Sequence, residues 1–124
     1  MTSPEAMRRI NTVVSHLWMV RTFLKHAEEI EDDPERMRVP RALFDFARAV
    51  ESRYTAGDSQ GYLKMVRKKR SKLRAAAAQF AAEVDEISSH TNFKQAALSL
   101  SGCVDQIDEI LDQVDSDQKG NKDL

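Results

Sequence analysis

The chain has 124 residues, enough for one domain with one hydrophobic core and too few for two ordinary domains. Its 19 basic and 20 acidic side chains give a net charge of −1, which does not indicate a nucleic-acid binder, and its single cysteine excludes an internal disulfide. It has no N-terminal secretory signal and no run near the roughly 20 apolar residues that span a membrane. We therefore expect a cytoplasmic protein with no membrane partner.

The first predicted helix covers residues 3–30. Ser3 is a suitable N-cap, and Pro4 follows at the first helical position. From residue 13 to residue 24 the apolar side chains cover more than one face, and Arg21 is the only formal charge. A helix on one side of a small core needs one apolar stripe and a charged back. We therefore expect the extra apolar surface to be covered by the rest of the chain, a second copy, a partner or a ligand.

The second predicted helix is short. Residues 32–34 end the first helix, and Val39 is expected to be extended because it precedes a proline. Pro40 then opens the second helix, which ends at Gly57.

The third predicted helix is long and strongly periodic. It is capped by Asp58 or Ser59, and its core positions repeat at intervals of three and four from Leu63 to Ile87. Arg70 is the one charged residue in this series. A charge at such a position must reach solvent, pair with a carboxylate or hold an anion.

The fourth predicted helix follows a break at residues 88–92, where Thr91 is a plausible cap. Its apolar positions run without interruption from Phe93 to Val114. This spacing is typical of antiparallel bundles. The predicted fold class is all-α, an antiparallel up-down four-helix bundle with a short second helix and a long hairpin between helices 3 and 4. Residues 1–115 form one domain, and the polar residues 116–124 are predicted to be a disordered tail.

The predicted helix lengths do not match. Helix 3 has about 32 residues, or ~48 Å, and helix 2 about 16, or ~24 Å. The uncovered half of the hairpin needs helix 1, a bent arrangement or another chain, unless residues 39–40 are only a kink within a longer helix 2. Together with the excess apolar surface of helix 1, this mismatch favours a homo-oligomer, most simply a dimer.

Two blocks of opposite charge occupy the long hairpin. Residues 64–74 hold seven bases and no acid, and residues 105–117 hold six acids and no base. A hairpin places the blocks opposite each other, so the structural interpretation is that they favour its register. The alternative is a phosphate-binding footprint. The basic block has no interleaved aromatic residues, so we do not expect a nucleic-acid partner.

No glycine-rich phosphate loop, nucleophile elbow, metal signature or acid pair is present, so no catalytic residue is assigned and no cofactor is expected. Cys103 lies beside the core position Val104 and near the acid Asp105, which favours a core residue over a reactive thiol. The interface candidates, all on the first helix, are Val14, Trp18, Met19 and Phe23. The ligand or anion candidates are His16, Arg21 and Arg70. The pairs with helical spacing that could contribute to a metal site are His26 with Glu29 and Glu86 with His90.

These features favour a non-enzymatic interaction module that self-associates or binds a protein partner through the first helix. One alternative is a bundle that binds a small ligand or anion through His16, Arg21 and Arg70. Another is a metal-dependent helical enzyme, although its ligand spacing is nonspecific.

Overall fold

A computed structural model describes residues 1–122, with side chains up to residue 120, and within that range the chain forms helices and no strand. The five helices are α1 (Ser3–Lys25), α2 (Glu28–Glu31), α3 (Arg38–Thr55), α4 (Ser59–Ile87) and α5 (Thr91–Lys122). Four of them are long, and α2 is a single turn. The all-α helical bundle predicted from the sequence is confirmed.

α1 lies between α3 and α5 and faces α4 across the core. It runs antiparallel to α5, because contacts at its two ends involve opposite ends of that helix. The N-terminal ammonium of Met1 contacts the carboxylate of Asp117. At the other end, the ring centroids of Phe23 and Phe93 are 5.1 Å apart. Among residues 1–120, no neighbouring helix covers the outward side of α1.

The start of α1 differs by one residue from the prediction. Thr2, not Ser3, is the N-cap, and its hydroxyl accepts a hydrogen bond from the backbone N–H of Glu5 at 3.2 Å. Ser3 is the first helical residue and is buried. Its hydroxyl oxygen accepts hydrogen bonds from the side-chain amides of Gln60 at 3.2 Å and Gln118 at 2.7 Å. Thr2 and Ser3 both carry a hydroxyl that can cap a helix. The hydroxyl of Ser3 instead binds Gln60 and Gln118 inside the protein, and Thr2 caps α1.

α1 also ends earlier than predicted, at Lys25 instead of residue 30. Ala27 is extended, with φ −76° and ψ 130°, and the single turn α2 follows. The break changes the direction of the chain and allows Ile30 to be fully buried. Burial of a large aliphatic side chain contributes ~1.5–3 kcal/mol, which offsets the ~0.5–1.5 kcal/mol contributed by each helical hydrogen bond lost at the break.

Val39 is helical and buried, so the prediction that it is extended is wrong. Pro40 is the third residue of α3, where its missing N–H removes no intrahelical hydrogen bond. The preceding turn is fixed by Asp33, whose carboxylate accepts hydrogen bonds from the backbone N–H groups of Glu35 and Arg36. Burial of Val39 and this turn outweigh the steric preference of a residue before proline.

The chain itself covers the long hairpin. α3 has 18 residues, against 29 in α4 and 32 in α5. Beyond the start of α3, α2 and the turn at residues 33–37 continue the cover, and the Gln79 side-chain amide donates to the backbone oxygen of Glu35 at 3.3 Å. Val84 and Ile87, near the end of α4, are buried. The length mismatch is therefore no longer a reason to expect self-association.

The C-terminal segment differs from the expectation of disorder. α5 continues through Lys122, and only residues 123–124 of the predicted tail lie outside the described residues. Asp117 contacts the N-terminus, and Gln118 donates to Ser3. The sequence of this polar segment does not predict these contacts, because they form only when the folded chain places residues 1–3 beside the end of α5.

Candidate functional site

Three of the four interface candidates on α1 are exposed. Met19 is 67% exposed on the outward side, Trp18 is 37% exposed on the side facing α3, and Phe23 is 36% exposed on the side facing α5. Val14, the fourth candidate, belongs to the core. It lies about 40° closer than Trp18 to the buried stripe of the helix, which explains the difference.

On the α5 side of Phe23 the surface is uncharged. A shallow hollow of about 330 Å³ lies between the helices; its lining residues are Phe23, Asn92, Gln95, Ala96 and Ser99. A second, of about 270 Å³, lies further along; its lining residues are His16, Ser99, Gly102, Cys103 and Gln106. Leu98 is 66% exposed and neighbours Gln95 and Gly102 at helical spacing.

We call this surface the neutral face. Its uncharged, exposed or partly exposed members on α1 are Thr12, His16, Met19 and Phe23, and those on α5 are Gln95, Leu98, Ser99, Gly102 and Gln106. Leu98 forms the outer edge of this surface, where the exposed Lys94 lies four residues before it on α5. In the whole chain 31% of residues are charged. Charge depletion with exposed Met and aromatic side chains is typical of the centre of a protein interface. The charge-free segment 95–104 is visible in the sequence, but its position beside α1 is not.

Aromatic rings and an arginine lie on the side of α1 that faces α3. The Trp18 and Phe44 ring centroids are 5.9 Å apart. The guanidinium of Arg21 lies 4.6 Å from the Trp18 centroid and 5.0 Å from that of Phe44. A planar guanidinium stacked on rings keeps its N–H donors at the edge of the plane. Phe44 could not be identified from the sequence, because nothing local shows that α3 lies beside this part of α1.

The structure does not bring the three anion candidates together. His16 lies on the α5 flank of α1, and Arg21 lies on the α3 flank. Arg70 is 38% exposed at its side chain and reaches Asp108 of α5, with Nη1 3.4 Å from Oδ1. Arg70 therefore avoids burial by reaching the surface and pairing there, and it is not part of a site with the other two.

The charge blocks meet across the hairpin as the structural interpretation predicts. Arg67 contacts Asp115, and Arg74 contacts Asp108. These pairs are partly exposed, so each contributes only ~0–1 kcal/mol. Four lysines of the basic block form no ion pair with a described residue; they are Lys64, Lys68, Lys69 and Lys72.

The metal candidates have ordinary positions near helix ends. His26 is the C-cap of α1, while Glu29 and Glu86 are exposed. The Nδ1 atom of His90 accepts a hydrogen bond from the backbone N–H of Asn92 at 3.1 Å, at the start of α5. In the part of the chain that the structure describes, no three His, Cys, Asp or Glu side chains form a group able to hold a metal.

Cys103 is buried between α5 and α1. Burial raises the pKa of its thiol, and a hydrogen bond with Ser99 opposes that shift only in part. A thiolate is the reactive form of cysteine, so this environment disfavours nucleophilic chemistry.

No helix within residues 1–122 is long and apolar enough to cross a bilayer. In comparisons with protein-family models, curated proteins and solved structures, nothing matches this chain.

Proposed function

We propose that the protein is a non-enzymatic interaction module that pairs with a second copy of itself through the neutral face. The observation that carries the proposal is the exposure of Met19 and Phe23 on a surface without formal charge, with the exposed Leu98 at its α5 edge. Apolar side chains grouped on such a surface favour protein–protein contact.

A second copy is the partner that best fits this surface. Twofold symmetry places the same face of the two copies together, so any charge near the axis would lie close to the identical charge of the other copy and be repelled. The neutral face has no such charge. If two α1 helices cross antiparallel about Met19, residues equally far before and after it come into proximity.

The segments on either side of Met19 carry opposite charges in that arrangement. Arg8 and Arg9 lie about ten residues before Met19 in α1, or ~15 Å along the helix, and Glu28 and Glu29 lie about ten residues after it in α2, beyond the end of α1 at Lys25. All four side chains are exposed, and none forms an ion pair among the described residues. Antiparallel pairing brings the bases of one copy near the acids of the other, which favours this orientation.

The expected dimer is reversible. Full burial of a Met or Leu side chain contributes ~1.5–3 kcal/mol, so the exposed two thirds of Met19 and Leu98 contribute ~1–2 kcal/mol each per copy. Phe23 adds less, because about two thirds of it is already covered. The total over two copies is comparable to the ~4–15 kcal/mol lost in translational and rotational freedom. We therefore expect a dimer that dissociates on dilution.

The test is sedimentation velocity at increasing concentrations. The wild type is expected to shift from monomer to dimer, and Met19→Glu to remain monomeric because it buries a charge at the twofold axis. Ala78→Glu is the matched control, since it adds the same charge to an exposed position on α4, across the core from α1. A wild type that stays monomeric, or a Met19→Glu variant that dimerises as well as Ala78→Glu, would contradict the proposal.

Charge exchange tests the orientation. Arg9→Glu and Glu29→Arg are each expected to weaken the dimer, and the double variant to restore it. Arg9 lies near the start of α1 and Glu29 lies in α2, beyond the other end of α1, so rescue must occur between copies. A double variant that is at least as weak as both single variants would contradict antiparallel pairing.

A further inference from the structure

The α3 flank of α1 holds an arginine that is fixed in place and lacks an acidic partner. Arg21 lies over the rings of Trp18 and Phe44, and no acid among the described residues forms an ion pair with it. Stacking on two rings restricts the guanidinium plane and leaves the N–H groups at its edge available to donate hydrogen bonds to the oxygens of a carboxylate. Such a donor is pre-organised for an anion.

Two further cations adjoin Arg21 around an apolar floor. Lys25 and Arg41 line the same open hollow of about 170 Å³ between α1 and α3, and neither forms an ion pair within the described part of the chain. The remaining lining residues are apolar: Met37, Pro40 and Phe44. The hollow thus offers three positive charges and no negative one around a surface that can hold an apolar side chain. We call it the cationic hollow.

Helix stability does not account for Arg41. It lies in the first turn of α3, where the positive end of the helix dipole disfavours a cation and where no acid is present. Lys25, in contrast, lies in the last turn of α1, where a cation is favourable. The positive potential of the cationic hollow is therefore increased by the start of α3.

A second, separate open hollow of about 310 Å³ lies between α1 and α3 on the other side of the Trp18–Phe44 pair. Its only lining charges are Arg48 and Glu51, which pair with each other at 2.9 Å. We call the groove between α1 and α3 that contains both hollows the seam. The seam from Asn11 to Lys25 spans fourteen residues of α1, or ~21 Å, which matches about six residues of an extended chain.

We propose that this seam binds an acidic peptide segment of another protein. Its carboxylates accept hydrogen bonds from Arg21, Arg41 and Lys25, and an adjoining apolar side chain lies on the floor of the cationic hollow. The length and openness of the seam favour a peptide over a small anion. Because unpaired charge is confined to the Lys25 end, the acids occupy one end of the segment and uncharged residues follow.

The test uses a fluorescent six-residue peptide with two glutamates followed by four uncharged residues that include leucine and phenylalanine. Its binding is measured by fluorescence anisotropy and by the emission of Trp18, the only tryptophan, which lies beside Arg21. Loss of a charge-assisted hydrogen bond is expected to weaken binding about tenfold in Arg21→Gln and in Arg41→Gln. Lys68→Gln, which removes an exposed cation of α4, is the control and should leave affinity unchanged. Arg41 is exposed, so its variant keeps the test valid if Arg21→Gln fails to fold.

Three results would overturn the proposal. The first is equal binding of a peptide with glutamines in place of the glutamates. The second is equal affinity of Arg41→Gln and Lys68→Gln for the acidic peptide. The third is a Trp18 response to inorganic phosphate or to a DNA oligonucleotide but not to the peptide, which would assign the site to another kind of anion.

This proposal and the self-pairing proposal fail separately, because the seam lies on the α3 side of α1, whereas the neutral face lies on the outward side and the α5 side. Arg41→Gln is expected to dimerise normally, and Met19→Glu is expected to bind the peptide normally. If Met19→Glu loses the peptide although its helical content and thermal stability match those of the wild type, the seam is not an independent site and the proposal is wrong.

Discussion

Tyr62 links α4 to α1 across the core, and Tyr62→Phe tests that link. The side chain is fully buried, and its hydroxyl donates a hydrogen bond to Oδ1 of Asn11 at 3.1 Å. Phenylalanine keeps the ring and removes only the hydroxyl. Because one neutral hydrogen bond contributes ~0.5–1.5 kcal/mol, the free energy of unfolding is expected to fall by that amount at neutral pH.

The same substitution is expected to have the opposite effect at high pH. Burial, with a smaller contribution from Tyr54, raises the pKa of Tyr62 well above its usual value. The unfolded chain ionises near pH ~10 while the folded chain does not, so stability is complete below that pH and falls above it. The wild type loses ~1.4 kcal/mol per pH unit in this range, and the phenylalanine variant avoids that loss. The two stabilities should therefore become equal near pH ~11.

Urea denaturation followed by circular dichroism measures the free energy of unfolding of the wild type and of Tyr62→Phe at each pH. The other ionisable groups, including Cys103, are present in both proteins, so the difference between them isolates Tyr62. A difference that is the same at about pH 8 and at about pH 11 would refute the reasoning, because it would mean that burial does not hold the phenol neutral.

Three further predictions concern a cap, a thiol and an ion pair. Asp58→Ala removes the carboxylate that accepts from the backbone N–H of Gly61 at 2.9 Å, and is expected to lower the free energy of unfolding in urea by ~1 kcal/mol; no change would contradict the cap. Cys103 is buried with a raised pKa, so a thiol reagent should label the folded chain far more slowly than the unfolded one, and equal rates would contradict its burial. Asp108→Asn removes contacts to two arginines of α4 and should cost at most ~2 kcal/mol in thermal denaturation at low salt and less at high salt; a salt-independent loss would contradict surface pairing.

The long helices were predictable because their signal is local. Apolar spacing of three and four determines which side of a helix is buried, and the predicted positions from Leu63 to Ile87 are buried apart from Arg70. Asp58, one of the two predicted caps of this helix, is the observed one. Neither result depends on where the other helices lie.

The errors occur where distant contacts determine local structure. α1 breaks near residue 26 because Ile30 is buried against other helices, and Val39 is helical because the preceding turn and the core position it. Gln118 is held by Ser3, 115 positions away in the sequence. Composition and helix propensity, considered residue by residue, do not identify these partners.

The candidate site was partly predictable. Trp18, Met19 and Phe23 follow from the excess of apolar residues on α1, since one helix cannot turn every side toward the core. Leu98 was missed because it lies off the apolar seam of α5, and its proposed role depends on its uncharged neighbours Gln95 and Gly102, which line hollows beside α1. The stacking of Arg21 on Phe44 depends on the packing of α3, which the sequence does not specify.

A disulfide across the proposed twofold axis tests the central claim most directly. Met19→Cys, in a Cys103→Ala background, places one thiol of each copy at the centre of the pair. Mild oxidation at a protein concentration where the wild type is dimeric is expected to give a covalent dimer, because the pair brings the two Cα atoms within the roughly 7 Å that a disulfide needs. Ala78→Cys in the same background is expected to stay monomeric. Crosslinking of Met19→Cys no faster than that of Ala78→Cys would contradict pairing through the outward side of α1.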